Sequence, residues 1–353
     1  MRTLLRPTGF VDSPFGHDGK VARLAGGLNW FALVELIHDD GGRELLPVEG
    51  IEARFDEAMA RDWARITSPR SPLQLGDRTI RLDQPQVMGI VNATPDSFSD
   101  GGSYADSAAA AEAGAVMASQ GAAIIDVGGE STRPGASTVW EGDEAERVLP
   151  IVRQLAAGGT AVSIDTRKSA VMNAALGAGA GMVNDVSALT WDPLAAEAVA
   201  RADVPVVLMH HQGDPSTMQE SPRYDDVLVD VYRWLEDRID AAIEAGIARD
   251  KILVDPGIGF GKTVAHNLEL LNGLALFHGL GCPIVLGASR KRMIGALAGE
   301  APADRRLPGS LMLALKAVEQ GAQIVRVHDV PETVQALKVW RGLRDQALTP
   351  RVA

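Results

Sequence analysis

The 353-residue chain has a single cysteine, Cys282. That excludes an intrachain disulfide and a thiolate zinc cluster, and it suits a reducing compartment. Cations are outnumbered. The net charge of −12 argues against a general nucleic-acid or anionic-membrane surface, but not against a few cations gathered at one anion site. No run of 18 apolar residues occurs, so no membrane span is expected. Residues 1–10 carry arginines and no apolar stretch of the signal-peptide kind, so a soluble, cytoplasmic protein is the expectation. With 37 Gly and 19 Pro the chain stays below the low-complexity range, so a packed fold is expected.

What is present is a rhythm. From about residue 86, short apolar runs alternate with Ala-rich stretches of helical spacing. The runs are 86–92 (QVMGIVN), 123–127 (AIIDV), 161–166 (AVSIDT), 182–186 (MVNDV), 204–210 (VPVVLMH), 251–255 (KILVD), 283–289 (PIVLGAS) and 323–328 (QIVRVH). Continuous apolar runs suit strands buried on both faces. Stretches 105–120, 141–157, 223–245 and 331–344 read as helices. Eight β-then-α units predict an α/β fold, a (β/α)8 TIM barrel, with a doubly wound sheet as the competitor. The expected division is an N-terminal α+β extension over 1–71, the barrel over 72–345 and a tail over 346–353. Within the extension 28–37 reads as a strand and Asp40-Gly41 as a turn. Segment 72–85 reads as a hairpin turning at Gly76-Asp77. Residues 1–71 hold no catalytic motif; packing or an oligomer contact is their expected use.

Barrels of this kind place chemistry at the carboxyl ends of their strands. Here those ends carry Asn92, Asp126, Asp165, Asn184 with Asp185, His210 with His211, Asp255, Ser289, and Arg326 with His328. Any one carboxylate, Asp126 or Asp185 for example, reads equally well as structural. Together they predict a ligand cavity, because unpaired buried polar groups cost free energy. Arg133, Lys262, Arg290, Lys291, Arg292, Arg326 and His328 are expected on the same face, a setting for phosphate. The acidic excess lies on helical stretches such as 141–146 and 225–240. Segments 94–102 and 130–135, rich in Gly, Pro, Ser and Asp, read as loops that close over a substrate.

Two motifs fall short. Segment 256–263 (PGIGFGKT) resembles a Walker A loop, but Pro256 stands where its first glycine belongs, and Lys262 stands where a dinucleotide fold needs its third.

The strand-end residues carry a resemblance. Segments 88–102 (MGIVNATPDSFSDGG) and 126–135 (DVGGESTRPG) resemble the signatures of the dihydropteroate synthase family, a family of pterin-binding barrels. Ser163-Ile164-Asp165-Thr166, Asn184-Asp185-Val186, Leu208-Met209-His210, 255–262 (DPGIGFGK), Ser289-Arg290-Lys291 and Arg326-Val327-His328-Asp329 follow in the family's order. The resemblance spans about residues 72–345. It implies condensation of a dihydropterin hydroxymethyl diphosphate with p-aminobenzoate, releasing diphosphate. It further implies that Asp165, Asn184, Met209, Asp255 and Lys291 hold the pterin, and that Asn92 ligates Mg²⁺. Asn92, Thr132, Arg133, Arg326 and His328 would meet the diphosphate, with a protonated histidine assisting its departure. Thr132, Pro134, Phe260 and Lys291 would border p-aminobenzoate. Asp255, Lys291, Asp96, Arg326 and His328 would carry the catalysis, and the family implies a homodimer. Arg292 stands where some members carry a serine that touches the p-aminobenzoate carboxylate. No two-residue insertion follows Phe260, so sulfonamide sensitivity is expected. Three rivals are a corrinoid-dependent methyltransferase barrel, a metal-dependent barrel hydrolase and a non-catalytic pterin-binding protein. The first lacks a diphosphate apparatus, and the second needs a His-x-His pair that the first barrel strand lacks. Diphosphate release is the discriminating assay.

Overall fold

The computed structural model describes residues 2–93, 104–131, 138–213 and 218–349. Four strands lead: β1 (Thr3–Val11), β2 (Ala22–Arg23), β3 (Trp30–His38) and β4 (Arg43–Pro47), followed by helix α1 (Glu57–Thr67). All pair antiparallel on β3. Alternation fixes the two faces of this sheet. Leu5, Val34 and Leu36 pack with Met59 and Ile66 of α1, while Leu4 and Ile37 join the core of the barrel's outer layer. Asp56 caps α1 by accepting from Met59 N at 2.8 Å. The extension is tied down at several points. Asn29 Nδ2 donates to Val318 O at 2.6 Å, Arg344 Nη2 to Leu28 O at 2.7 Å and Arg70 Nη2 to His278 O at 3.1 Å.

A hairpin of β5 (Leu73–Leu75) and β6 (Arg78–Ile80) follows, turning at Gly76 with φ +57°. Eight parallel strands come next: β7 (Gln86–Asn92), β8 (Ile124–Gly128), β9 (Val162–Asp165), β10 (Met182–Asp185), β11 (Val206–Met209), β12 (Ile252–Asp255), β13 (Val285–Leu286) and β14 (Ile324–Val327). They run in the order β12-β11-β10-β9-β8-β7-β14-β13, and a parallel bridge between Val254 and Ile284 closes the ring. The fold is the expected (β/α)8 barrel. Around it lie α2 (Tyr104–Ser119), α3 (Glu141–Ala157), α4 (Ser169–Gly177), α5 (Ala195–Ala202), α6 (Val227–Glu244), α7 (Val264–Asn272), α8 (Arg292–Leu297), α9 (Leu307–Glu319) and α10 (Val330–Ala347). Asp226 caps α6, and Thr263 with His266 forms a capping box on α7.

The interior is layered by the two-residue period of a strand. At the amino end Met88, Ile124, Ala161, Met182, Val207, Leu253, Val285 and Ile324 meet Leu73, Leu75, Ile80 and Leu82 of the hairpin region in one dry cluster. The hairpin plugs the barrel there. Gly181 permits it, because a Cβ at that position would lie 2.9 Å from Leu75 Cα.

Candidate active site

One step of two residues changes this layer from apolar to polar on several strands. Ile124 is followed by Asp126, Met182 by Asn184, Leu253 by Asp255 and Ile324 by Arg326, while Met209 follows Val207 as an apolar member. Asn92, Asp165 and His328 share the inward parity of their strands. Glycine keeps the space open: a Cβ at Gly128 would lie 3.4 Å from Asp165 Cβ, and one at Gly287 3.6 Å from Asp255 Oδ2.

Arg326 organises the centre. Its Nε donates to Asp126 Oδ2 at 2.6 Å and its Nη2 to Asp165 Oδ2 at 2.7 Å. Asn184 Nδ2 donates to the same Asp126 oxygen at 3.0 Å. Burial opposes the Arg326 charge, but Asp126 and Asp165 outweigh it and hold the guanidinium protonated. Burial pushes Asp165 up to about 7 against the pull of Arg326, and it raises Asp255, whose Oδ1 accepts from Gly257 N at 2.7 Å. The resemblance gives Asp126 no role. Its signal was nonetheless present: it stands two residues beyond Ile124 and therefore faces the same interior.

Lys291 Nζ lies 4.1 Å from the centre of the Phe260 ring, joining two residues expected to share a pocket. Burial lowers Lys291 to about 8, partly offset by Asp255. The turn that delivers it is strained. Arg290 sits at φ +57°, held by Ser310 Oγ on its N–H and by a two-point pair with Asp329.

The structure corrects several expectations. Lys262 is not a free phosphate cation: its buried Nζ bonds His210 Nδ1 at 2.8 Å and the carbonyls of Gly257 and Phe260 at 3.0 Å each. It staples the β12–α7 loop into a shape that a Cβ at Gly257 would destroy, lying 1.8 Å from His210 O. Burial brings Lys262 down to about 7. Arg290 is spoken for by Asp329, and Arg292 is exposed at the start of α8. His328 is not protonated in the free protein: burial, then Arg290 and Arg326, lower it to about 4. Its Nδ1 lies 3.0 Å from Ser289 Oγ. Asp185 and His210 have the outward parity. Asp185 accepts from Ser187 N, Ser187 Oγ and Leu189 N of its own loop, so it is structural. Asp96, Thr132, Arg133 and Pro134 lie outside the described residues, as do most of the two loops expected to close.

Among the described residues no group of three or more His, Cys, Asp or Glu could hold a metal. Asn92, at the tip of β7 opposite Gly128, offers one amide oxygen. At the opposite end of the barrel a groove of about 300 Å³ is lined by Arg78, Arg81, Gln84 and Gln86. Arg78 donates to Gly159 O and Arg81 pairs with Asp83, so these cations are occupied. No helix among the described residues is long and apolar enough to cross a membrane.

A closed barrel whose carboxyl end gathers carboxylates, an amide, a guanidinium and a lysine over an aromatic ring defines an enzyme built to bind a polar heterocycle beside an anion. The comparisons agree. Residues 88–328 match the family described as pterin binding enzyme. The chain is 48% identical over 262 residues to the dihydropteroate synthase of Escherichia coli K12, covering 74% of this chain and 92% of the relative. The Xanthomonas albilineans dihydropteroate synthase solved with 4-aminobenzoic acid superposes with a TM-score of 0.74 at 48% identity, over 79% of this chain and all of that one. The same enzyme with 7,8-dihydropteroate gives 0.71 at 46%, with the same coverage. The chain belongs to the dihydropteroate synthase family.

Proposed function

We propose that the chain condenses 6-hydroxymethyl-7,8-dihydropterin diphosphate with p-aminobenzoate, giving 7,8-dihydropteroate and diphosphate. The observation that carries this reading is the inward cluster of Asp126, Asp165, Asn184, Asp255 and Arg326 above a sealed apolar floor. A pterin edge is an array of donors and acceptors, and Asp165, Asp255 and Asn184 offer the matching oxygens and amide N–H. Met209 supplies apolar contact, and Lys291 spans from the pterin side to the Phe260 ring, where p-aminobenzoate would lie with Pro134 and Thr132.

The leaving group is polyanionic. Arg326 has Nη1 uncommitted in its bonds to Asp126 and Asp165, and the neutral His328 ring is a second polar partner for the anion. Thr132 and Arg133 would complete the grip. Mg²⁺ takes few protein oxygens and fills its shell with phosphate oxygens and water, which fits a donor set of one asparagine amide, Asn92. When bound, it would neutralise charge on the departing diphosphate. Carbon–oxygen cleavage leaves a delocalised pterin cation, which Asp255, and Asp96 from the first loop, would stabilise. The arylamine attacks the exocyclic carbon and then loses its proton, so no strong general base is needed. Water exclusion keeps the cation for the amine.

A homodimer fits the apolar residues left exposed on adjacent helices, Met312 on α9 with Val339 and Leu343 on α10. The deciding experiment mixes the protein, the dihydropterin diphosphate, p-aminobenzoate and Mg²⁺, and follows diphosphate release. Release that requires p-aminobenzoate is expected. Folded protein with no release would refute the reading.

A further inference from the structure

Phe260 and Lys291 reach each other from different elements, with the ammonium 4.1 Å from the ring centre. Lys291 is delivered by a turn that Ser310 and Asp329 hold. Phe260 lies within the β12–α7 loop, with no strand or helix of its own. The loop is fixed instead by side chains. Lys262, 3% exposed, donates from Nζ to Gly257 O and Phe260 O at 3.0 Å each and meets His210 Nδ1 at 2.8 Å. Tyr224 Oη, from the β11–α6 connection, donates to Gly261 O at 2.8 Å. Asn267 of α7 accepts from Gly259 N at 2.7 Å and donates to Thr263 O at 2.8 Å. The loop is pressed against that connection, since a Cβ at Gly261 would lie 2.3 Å from Gln212 O. His210 is fixed in turn: its N–H donates to Asp255 O at 2.9 Å, and its ring meets Trp234 of α6 edge-on at 4.8 Å.

An ammonium withdrawn from water is a costly way to satisfy carbonyls. What it supplies is three donors on one atom. They converge on two carbonyls of one loop and a ring of the next. The Asp255 backbone depends less on this clamp, because it sits in the strand ladder opposite Met209. We propose that Lys262, backed by Tyr224, is a positioning residue that acts through the loop backbone to hold the Phe260 ring against Lys291, and so sets the affinity for p-aminobenzoate.

The inference rests on the function proposed above. It predicts a loss that falls on one substrate. Orientation errors of about 1 Å cost on the order of a hundredfold. Lys262→Met keeps the stem and removes the donors. It should raise KM for p-aminobenzoate at least tenfold and change KM for the dihydropterin diphosphate less than twofold. Calorimetric affinity for 6-hydroxymethyl-7,8-dihydropterin should also stay within twofold, which shows that the variant is folded. A merely structural role would lower the yield of active enzyme and leave both KM values in place. Tyr224→Phe removes one hydrogen bond and should raise KM for p-aminobenzoate alone by about fivefold or less. An unchanged KM for p-aminobenzoate in Lys262→Met would overturn the inference, and so would equal rises for both substrates. If Lys262→Met does not fold, Tyr224→Phe decides, and an unchanged KM for p-aminobenzoate there overturns it. Failure of the enzymatic reading shows elsewhere, in wild-type protein that releases no diphosphate.

Discussion

At the floor of the barrel, eight inward residues, one from each strand position, meet four residues of a hairpin, and no polar side chain belongs to the cluster. Two to four residues further along the same strands the interior holds Asp126, Asp165, Asn184, Asp255 and Arg326, of which Arg326 and Asn184 bond Asp126, and Arg326 also Asp165, at 2.6–3.0 Å. Backbone, register and closure are shared by the two layers; only side-chain chemistry differs. The floor can afford to be specific in shape alone, because dispersion and water exclusion need no partners. The upper layer must satisfy or balance every charge, and what it leaves uncommitted faces the ligand. The floor also seals the cup from below, so its groups sit in a poorly screened environment where their interactions are stronger.

This contrast divides mutational effects. Arg326→Ala removes a cation from the site and strands Asp126 and Asp165. It should lower kcat/KM about a hundredfold or more, and a turnover within tenfold of wild type would remove Arg326 from its role. Leu75→Ala in the plug should do the opposite. It should cost about 2–5 kcal/mol in denaturant unfolding with KM values unchanged. A shift in KM without loss of stability would mean that the two layers are not independent.

The pH response sharpens the same division. Burial lowers Lys291 to about 8, so kcat/KM should fall above that pH as the ammonium is lost. The limb should disappear in Lys291→Arg, which keeps its charge. Stability runs the other way. Between the native value near 8 and the ordinary 10.5, the unfolded chain still binds the proton that the native state has released, so the Lys291 contribution to stability rises with pH. An activity limb unchanged in Lys291→Arg would assign it to another group. The smallest expected effect is at Asp185. Asp185→Asn should cost about 1–2 kcal/mol through its loop bonds and less than tenfold in rate, whereas Asp165→Asn, one strand away and of inward parity, should cost far more. Equal losses would break the parity argument.

Much of this was legible before any coordinates. The eight strand segments, helices such as 141–157, the hairpin turn at Gly76 and the polar strand ends follow from period and turn chemistry. Strands β1 and β4 and helix α1 were not identified: β1 contains Pro7 and Gly9, and the amphipathic face of α1 makes sense only against β1 and β3. Loop segment 256–263 showed a lysine after glycines and nothing of its use. Lys262 points into its own loop because His210 and two carbonyls converge there.

The order of the barrel strands, the polarity of their ends and the family to which those ends belong can be read from the amino-acid sequence, because each is a property of neighbours along the chain. Tertiary structure alone decided which of those ends meet. Ring closure turned a two-residue period into an inside and an outside, separating Asp126 and Asp165 from Asp185 and His210. It placed Arg326 between carboxylates 200 and 161 positions away in the chain. It also set the protonation of His328 and Lys291, since desolvation and charge act through space and sequence distance carries no information about either.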